Sequence, residues 1–155
     1  MIFPIVRLYP FFYHQKYFGF LLFHDLDQVY IHQEHESGKV RLRFTPECES
    51  INDSEYKISY SVITPDGDTM AVQNDELVIE DPEIWWPNGY GKQPLYTVKA
   101  ELSADGKVID EWTCRIGLRT ITMRRIKDKW GESFEACVNG VSIFTMGADY
   151  IPEDN

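Results

Sequence analysis

Tyr96-Thr97-Val98-Lys99-Ala100-Glu101-Leu102 alternates apolar and polar side chains without a break. Successive side chains of an extended strand project to opposite faces, so Tyr96, Val98, Ala100 and Leu102 form one apolar row over a solvated one. The same period of two recurs on either side of this segment. Val29 and Ile31 alternate with Tyr30 and His32, Val40, Leu42 and Phe44 with Arg41 and Arg43, and Tyr56, Ile58, Tyr60 and Val62 repeat the pattern. Met70 with Val72, Leu77 with Ile79, and a run from Ile109 to Ile116 carrying Trp112 and Cys114 complete the series. Pro65-Asp66-Gly67, Asp105-Gly106 and Asn139-Gly140 supply turns, the last two suited to two-residue hairpins. No stretch shows helical periodicity with caps. Seven or so short strands over residues 26–120 predict an all-β fold, an antiparallel β-sandwich of immunoglobulin-like size.

The 155 residues hold one ordinary domain and part of a second. With 43% hydrophobic and 26% charged residues the composition is that of a globular chain. A net charge of −10 argues against a nucleic-acid partner, because phosphate binders concentrate basic residues on one face. Cys48, Cys114 and Cys137 are odd in number and widely spaced, which suits neither a disulfide framework nor a metal knuckle and predicts a reducing, cytoplasmic setting. Asn52-Asp53-Ser54 matches a glycosylation acceptor, a pattern too short to carry weight alone.

The first 24 residues stand apart, with nine of the 22 aromatic residues and none of the 25 acids. Pro4, Arg7, Pro10 and His14-Gln15-Lys16 interrupt any signal-peptide core, and the longest apolar run, Tyr17 to Phe23, is about a third of a membrane span. No membrane partner is expected. Residues 1–25 read as a non-matching, poorly packed segment or an addition to a sheet edge, residues 26–120 as the sandwich, and residues 121–155 as the start of a further domain. Within the last, Ile121 to Arg125 forms a strand, and Phe134 to Val138 pairs across Asn139-Gly140 with Val141 to Phe144. The apolar run from Ile143 to Ile151 reads as interrupted, because such runs normally lie in sheets covered on both faces. An exposed apolar tail and aromatic head predict self-association of the isolated chain.

Trp85-Trp86-Pro87-Asn88-Gly89-Tyr90-Gly91 is the densest aromatic cluster outside the amino terminus. Two adjacent tryptophans on an extended segment face opposite ways, so each covers a different neighbour. Pro87 keeps Trp86 extended, while Asn88-Gly89 and Gly91 are expected at positive φ. Trp85, Trp86 and Tyr90 are therefore structural or interface residues; the alternative is an exposed sugar-stacking platform.

His32, Glu34, His35 and Glu36 include metal-ligand types, but on a strand His35 points away from the others and no second cluster completes a site. Metal and cofactors are expected to be absent. Acid pairs such as Asp66 with Asp68, or Asp75 with Glu76, fall on turns where nothing raises a proton donor's pKa. Phosphate loops, serine elbows and zinc-protease helices are missing too. No catalytic residue is assigned.

Four ordered blocks resemble the β-mannosidases of glycoside hydrolase family two: Trp85 to Tyr96, Arg115-Ile116-Gly117-Leu118-Arg119-Thr120, Trp130 to Phe134 with Val138 to Phe144, and Gly147-Ala148-Asp149-Tyr150-Ile151-Pro152. The resemblance covers about Asp27 to Asn155. It implies a parent with an amino-terminal jelly-roll domain, this sandwich, and a (β/α)8 barrel carrying the acid/base and nucleophile glutamates beyond Asn155, so that the chain alone would be inactive. It also makes Ile143 to Met146 the first barrel strand, entered through a β-hairpin. In the family the loop after it commonly reads Gly-Ala-Asn-Trp-Ile-Pro, and its tryptophan walls the subsite for a terminal mannose. Here Asp149 and Tyr150 take those places, as substrate-binding candidates; Tyr150 either touches sugar or anchors the loop. The implied partners are the jelly-roll and barrel domains, and a β-mannoside only in the whole enzyme. Two other readings are a free-standing carbohydrate-binding module and a fragment of another family-two glycosidase, such as a β-glucosaminidase type.

Overall fold

A computed structural model describes residues 24–50 and 56–147. Residues 1–23, the Asn52-Asp53-Ser54 triplet, Asp149 and Tyr150 lie outside them. All regular structure within the described residues is β, and no helix there is long and apolar enough to cross a membrane.

Seven strands make the sandwich. Strands β1 (His24–Glu36), β2 (Lys39–Ser50) and β5 (Glu76–Glu80) form one antiparallel sheet in the order β1-β2-β5. The other contains β3 (Tyr56–Ile63), β4 (Thr69–Ala71), β6 (Tyr96–Ala104) and β7 (Lys107–Ile116), in the order β4-β3-β6-β7. The inner faces meet in one core. Val40, Leu42, Phe44 and Ile79 from the first sheet pack with Tyr60, Val62, Val98, Ala100 and Leu102 from the second. The rings of Phe44 and Tyr60 stack across the layers with centroids 5.1 Å apart. In β6 Tyr96, Val98, Ala100 and Leu102 are all buried, as the alternation requires.

Leu26 and Val29 are both buried although three residues apart, which strict alternation forbids. A bulge resolves this: Leu26 faces Cys48 and Gln28 faces Glu47, leaving Asp27 as the extra residue. The amide of Leu26 donates to Asp110 Oδ2 (2.8 Å), tying β1 to β7.

The turns follow their residue chemistry. Asp105 and Gly106 have φ of 51° and 74°, Asn139 and Gly140 of 51° and 77°, the paired positive values of a primed hairpin turn. Thr64, Gly67 and Asp68 close the Pro65-Asp66-Gly67 turn through Gly67 N–H to Thr64 O (3.0 Å) and Thr64 N–H to Asp68 O (2.8 Å).

A smaller sheet follows the sandwich, built from β8 (Ile121–Arg124), β9 (Glu135–Val138) and β10 (Val141–Ser142) in the order β10-β9-β8. The hairpin across Asn139-Gly140 forms as expected but is shorter. Beyond Ser142 only the Ile143 N–H, donating to Ala136 O (2.9 Å), prolongs the ladder. Residues 143–146 are not a strand, since among the described residues no strand pairs along them, and Phe144 and Met146 are exposed.

Candidate functional site

The double-tryptophan segment sits where the sandwich meets the small sheet, and both indoles are half-buried. Each rests on a glycine. A Cβ added to Gly117 would lie 2.7 Å from Trp85 Cγ, and one added to Gly91 would lie 2.9 Å from Trp86 Cγ and Cδ1. Gly117 and Gly91 therefore allow a tryptophan side chain to approach the main chain closely. This corrects the expectation for the corner: Gly91 and Asn88 do not have positive φ, and only Gly89 does, at 85°. Tyr90 N–H donates to Pro87 O (3.0 Å), so Pro87 to Tyr90 is a turn with glycine at its third position, as a type II turn demands. Trp86 N–H donates to Lys92 O (2.9 Å) and closes the wider loop.

The segment is anchored before and after the indoles. Tyr96, buried in β6, keeps its hydroxyl satisfied by accepting the Glu83 N–H (2.9 Å); burial raises its phenol above the ordinary value. Trp85 N–H donates to Leu118 O (3.0 Å), and the Arg119 guanidinium lies 4.4 Å from the Trp85 ring centroid. Gln33 of β1 holds the same stretch from the opposite direction. Its Nε2 donates to Gly117 O (3.4 Å) and its Oε1 accepts the Arg119 N–H (3.2 Å). His35 Nε2 shares that oxygen at 3.1 Å, and desolvation lowers the His35 pKa, favouring a neutral imidazole.

Asn139 joins this corner to the hairpin. Its Nδ2 donates to Trp85 O (2.9 Å), its Oδ1 accepts Thr120 N–H (2.9 Å), and its own N–H donates to Thr120 O (3.0 Å). Sequence reasoning saw only a turn former here. The side chain instead satisfies backbone groups of two other segments, and nothing in the Asn-Gly pair itself signals that. A second tie runs from Tyr90, whose hydroxyl accepts the Phe144 N–H (3.0 Å). Trp85, Trp86 and Tyr90 are thus brought together in one junction.

Several charged groups of β1, β2 and β5 pair on the surface. Glu34 lies near Arg41 (3.8 Å), Arg43 (3.4 Å) and His32 (3.7 Å), and Glu76 near Arg41 (3.3 Å) and Arg43 (2.9 Å). Hydrogen bonding from Arg43 chiefly, and from Arg41, holds the Glu76 carboxyl below its usual range. Among the described residues no three His, Cys, Asp or Glu side chains are grouped to hold a metal.

Known proteins resemble this chain in sequence and in fold. Residues 25–119, more than half of the chain, match the model of glycosyl hydrolases family 2. The chain is similar to "Beta-mannosidase B" of Aspergillus niger, 39% identical over 119 residues that cover 70% of this chain and 14% of that protein. It is also similar to "Beta-mannosidase B" of Aspergillus terreus, 37% identical over 64% of this chain and 11% of that one. The chain thus spans only about a seventh or less of these two curated relatives. In fold it resembles the β-D-mannosidase of Dictyoglomus thermophilum, with a TM-score of 0.71 at 23% identity over 83% of this chain and 17% of the other. The β-glucuronidase of Ruminococcus gnavus gives 0.62 at 14% identity, over 82% of this chain and 20% of that one. With the family match covering the entire sandwich and its tryptophan corner, the chain belongs to the glycosyl hydrolases of family 2.

Proposed function

We propose that this chain is a non-catalytic portion of a longer β-mannosidase-like enzyme that removes terminal β-D-mannose with retention. Residues 26–120 are its immunoglobulin-like sandwich and residues 121–155 the entry to its barrel. Both carboxyl groups of the double displacement come from polypeptide beyond this chain. The work of the present residues is architectural, with the jelly-roll and barrel domains as partners and Asp149 and Tyr150 lent to the sugar subsite.

The observation that carries this reading is the Asn139 junction, which fastens the hairpin to the sandwich through Trp85 and Thr120. A sandwich working alone has no need to grip the segment leading out of it. Support also comes from the relatives, named β-mannosidases and several times longer. Three free cysteines fit the proposed cytoplasmic setting. The carbohydrate-module reading needs open indole faces, whereas Trp85 and Trp86 each lie against a glycine.

The test is hydrolysis of an aryl β-mannoside by the pure 155-residue chain and by a longer product that continues in frame after Asn155. Release by the longer product alone is expected. Release by the short chain, well above background, overturns the proposal.

A further inference from the structure

A cleft of about 390 Å³ opens beside the tryptophan corner, lined by Gln33, Arg115, Ile116, Gly117, Arg119 and Ile121. Its two guanidinium groups are unmatched. The chain carries 25 acids against 15 lysines and arginines, and Arg41, Arg43 and Arg124 each take a glutamate. Among the described residues, however, neither Arg115 nor Arg119 is paired with a carboxylate. Glu34, the chain neighbour of Gln33, alternates to the other face of β1 and lies near Arg41 and Arg43. Arg119 is half-buried and its guanidinium lies over the Trp85 ring at 4.4 Å, so its planar fork is placed before any ligand arrives. Gln33 steadies the main chain beside it, donating to Gly117 O and accepting the Arg119 N–H.

We propose that this cleft is a carboxylate-binding site, with the guanidinium groups of Arg119 and Arg115 as donors and Ile116 and Ile121 as the wall for a short aliphatic stem. An Asp or Glu side chain of the longer protein and a free aliphatic carboxylate share that chemistry. The amides of Arg119 and Thr120 are already spent on Gln33 and Asn139, leaving the planar forks as the charged donors of the cleft. Such a fork matches the two oxygens of a carboxylate. Ile121 is 61% exposed and Ile116 half-buried, an apolar side that a bare inorganic anion would leave uncovered. The site goes beyond the β-mannosidase reading and needs neither a sugar nor a catalytic group.

Succinate is the probe, exchanged for chloride at constant ionic strength, and the NMR resonances of the Arg115 and Arg119 Nε–H groups in the 155-residue chain are the readout. Both are expected to shift saturably, at about a tenth of the succinate concentration needed at Arg125, which lies over Phe134 outside the cleft. Arg115→Gln changes an exposed strand position and leaves folding intact; it is expected to raise the half-saturating concentration read at Arg119 about fivefold. Arg119→Lys keeps the charge and loses the fork, and is expected to raise the value read at Arg115 about tenfold. No saturable shift, half-saturation equal to that of Arg125, or shifts that survive both substitutions unchanged mean an adventitious ion only and overturn the proposal. Inorganic phosphate binding more tightly than succinate overturns the carboxylate assignment. The longer in-frame product separates the two sources. If its own Asp or Glu fills the cleft, the Arg119 Nε–H resonance is already displaced and succinate no longer moves it; if the ligand is free, succinate titrates as in the short chain. Both patterns support the site, and neither depends on whether that product cleaves a β-mannoside.

Discussion

The side chain of Trp85 lies against the main chain of Gly117, so close that a single methyl group on Gly117 would stand 2.7 Å from Trp85 Cγ. Gly117 is buried and its φ is not positive, so alanine is conformationally acceptable there and only the ring forbids it. Trp85 cannot retreat easily, because its N–H and carbonyl are both hydrogen-bonded and Arg119 covers the ring. Gly117→Ala is therefore expected to destabilise the fold by about 1–3 kcal/mol, the usual cost of overpacking. Urea denaturation followed by tryptophan emission measures it, and a variant as stable as the wild type contradicts the packing.

Asn139 separates turn chemistry from side-chain bonding. Asn139→Gly preserves the positive φ and the hairpin preference but leaves Trp85 O and Thr120 N–H without their partner. Two lost side-chain bonds at a half-buried site should cost about 1–3 kcal/mol overall. The disturbance should also be local: chemical shifts of Trp85, Thr120 and the hairpin move, while those of Val98 and Leu102 in the core do not. A neutral Asn139→Gly would mean that the asparagine serves the turn alone.

Tyr60 is expected to weaken the fold at alkaline pH. Its ring is 7% exposed and stacked on Phe44, and its hydroxyl has no hydrogen-bond partner among the described residues. Burial first, then the charges of Asp75 and Cys48, pushes the phenol up to about 12. The folded state thus favours the neutral phenol. Stability that is intact below the ordinary tyrosine value near 10 drains away as pH rises from there to about 12. Tyr60→Phe has nothing to ionise and loses no hydrogen bond, so it should match or exceed wild-type stability at pH 7 and unfold at higher pH. Alkaline titration followed by circular dichroism checks this, and an unmoved alkaline midpoint refutes it.

The sandwich was legible because its signal is local. Period-two rows in β2, β3 and β6 fixed which faces meet, and Asp105-Gly106 and Asn139-Gly140 fixed two hairpins. The bulge at Asp27 was not readable, because a bulge reveals itself only when Leu26 and Val29 prove to share a face. At the corner the sequence displays the residue types but not the reasons for them. Gly91 and Gly117 look like turn residues in sequence; what makes them glycine is a tryptophan ring distant along the chain for Gly117 and across a turn for Gly91. The tie from Tyr90 to Phe144 spans 54 residues and carries no periodic trace. Long-range fit of this kind depends on two surfaces at once, and sequence periodicity reports one.

Fluorescence distinguishes a brace from a sugar platform. Trp130 is 85% exposed in the β8–β9 connection, its N–H and that of Gly131 both donating to Asp128 Oδ1 (2.7 and 2.9 Å). Trp85, Trp86 and Trp112 are half-buried. Acrylamide should therefore quench one readily accessible component, and Trp130→Phe should remove it while the remaining emission stays blue-shifted and resistant. Against that variant, manno-oligosaccharide should leave the emission maximum of the isolated chain unchanged, because the Trp85 ring is already occupied by Gly117 and Arg119. A saturable shift in Trp130→Phe would place a sugar on Trp85, Trp86 or Trp112, and the stacking-platform reading would then replace the brace.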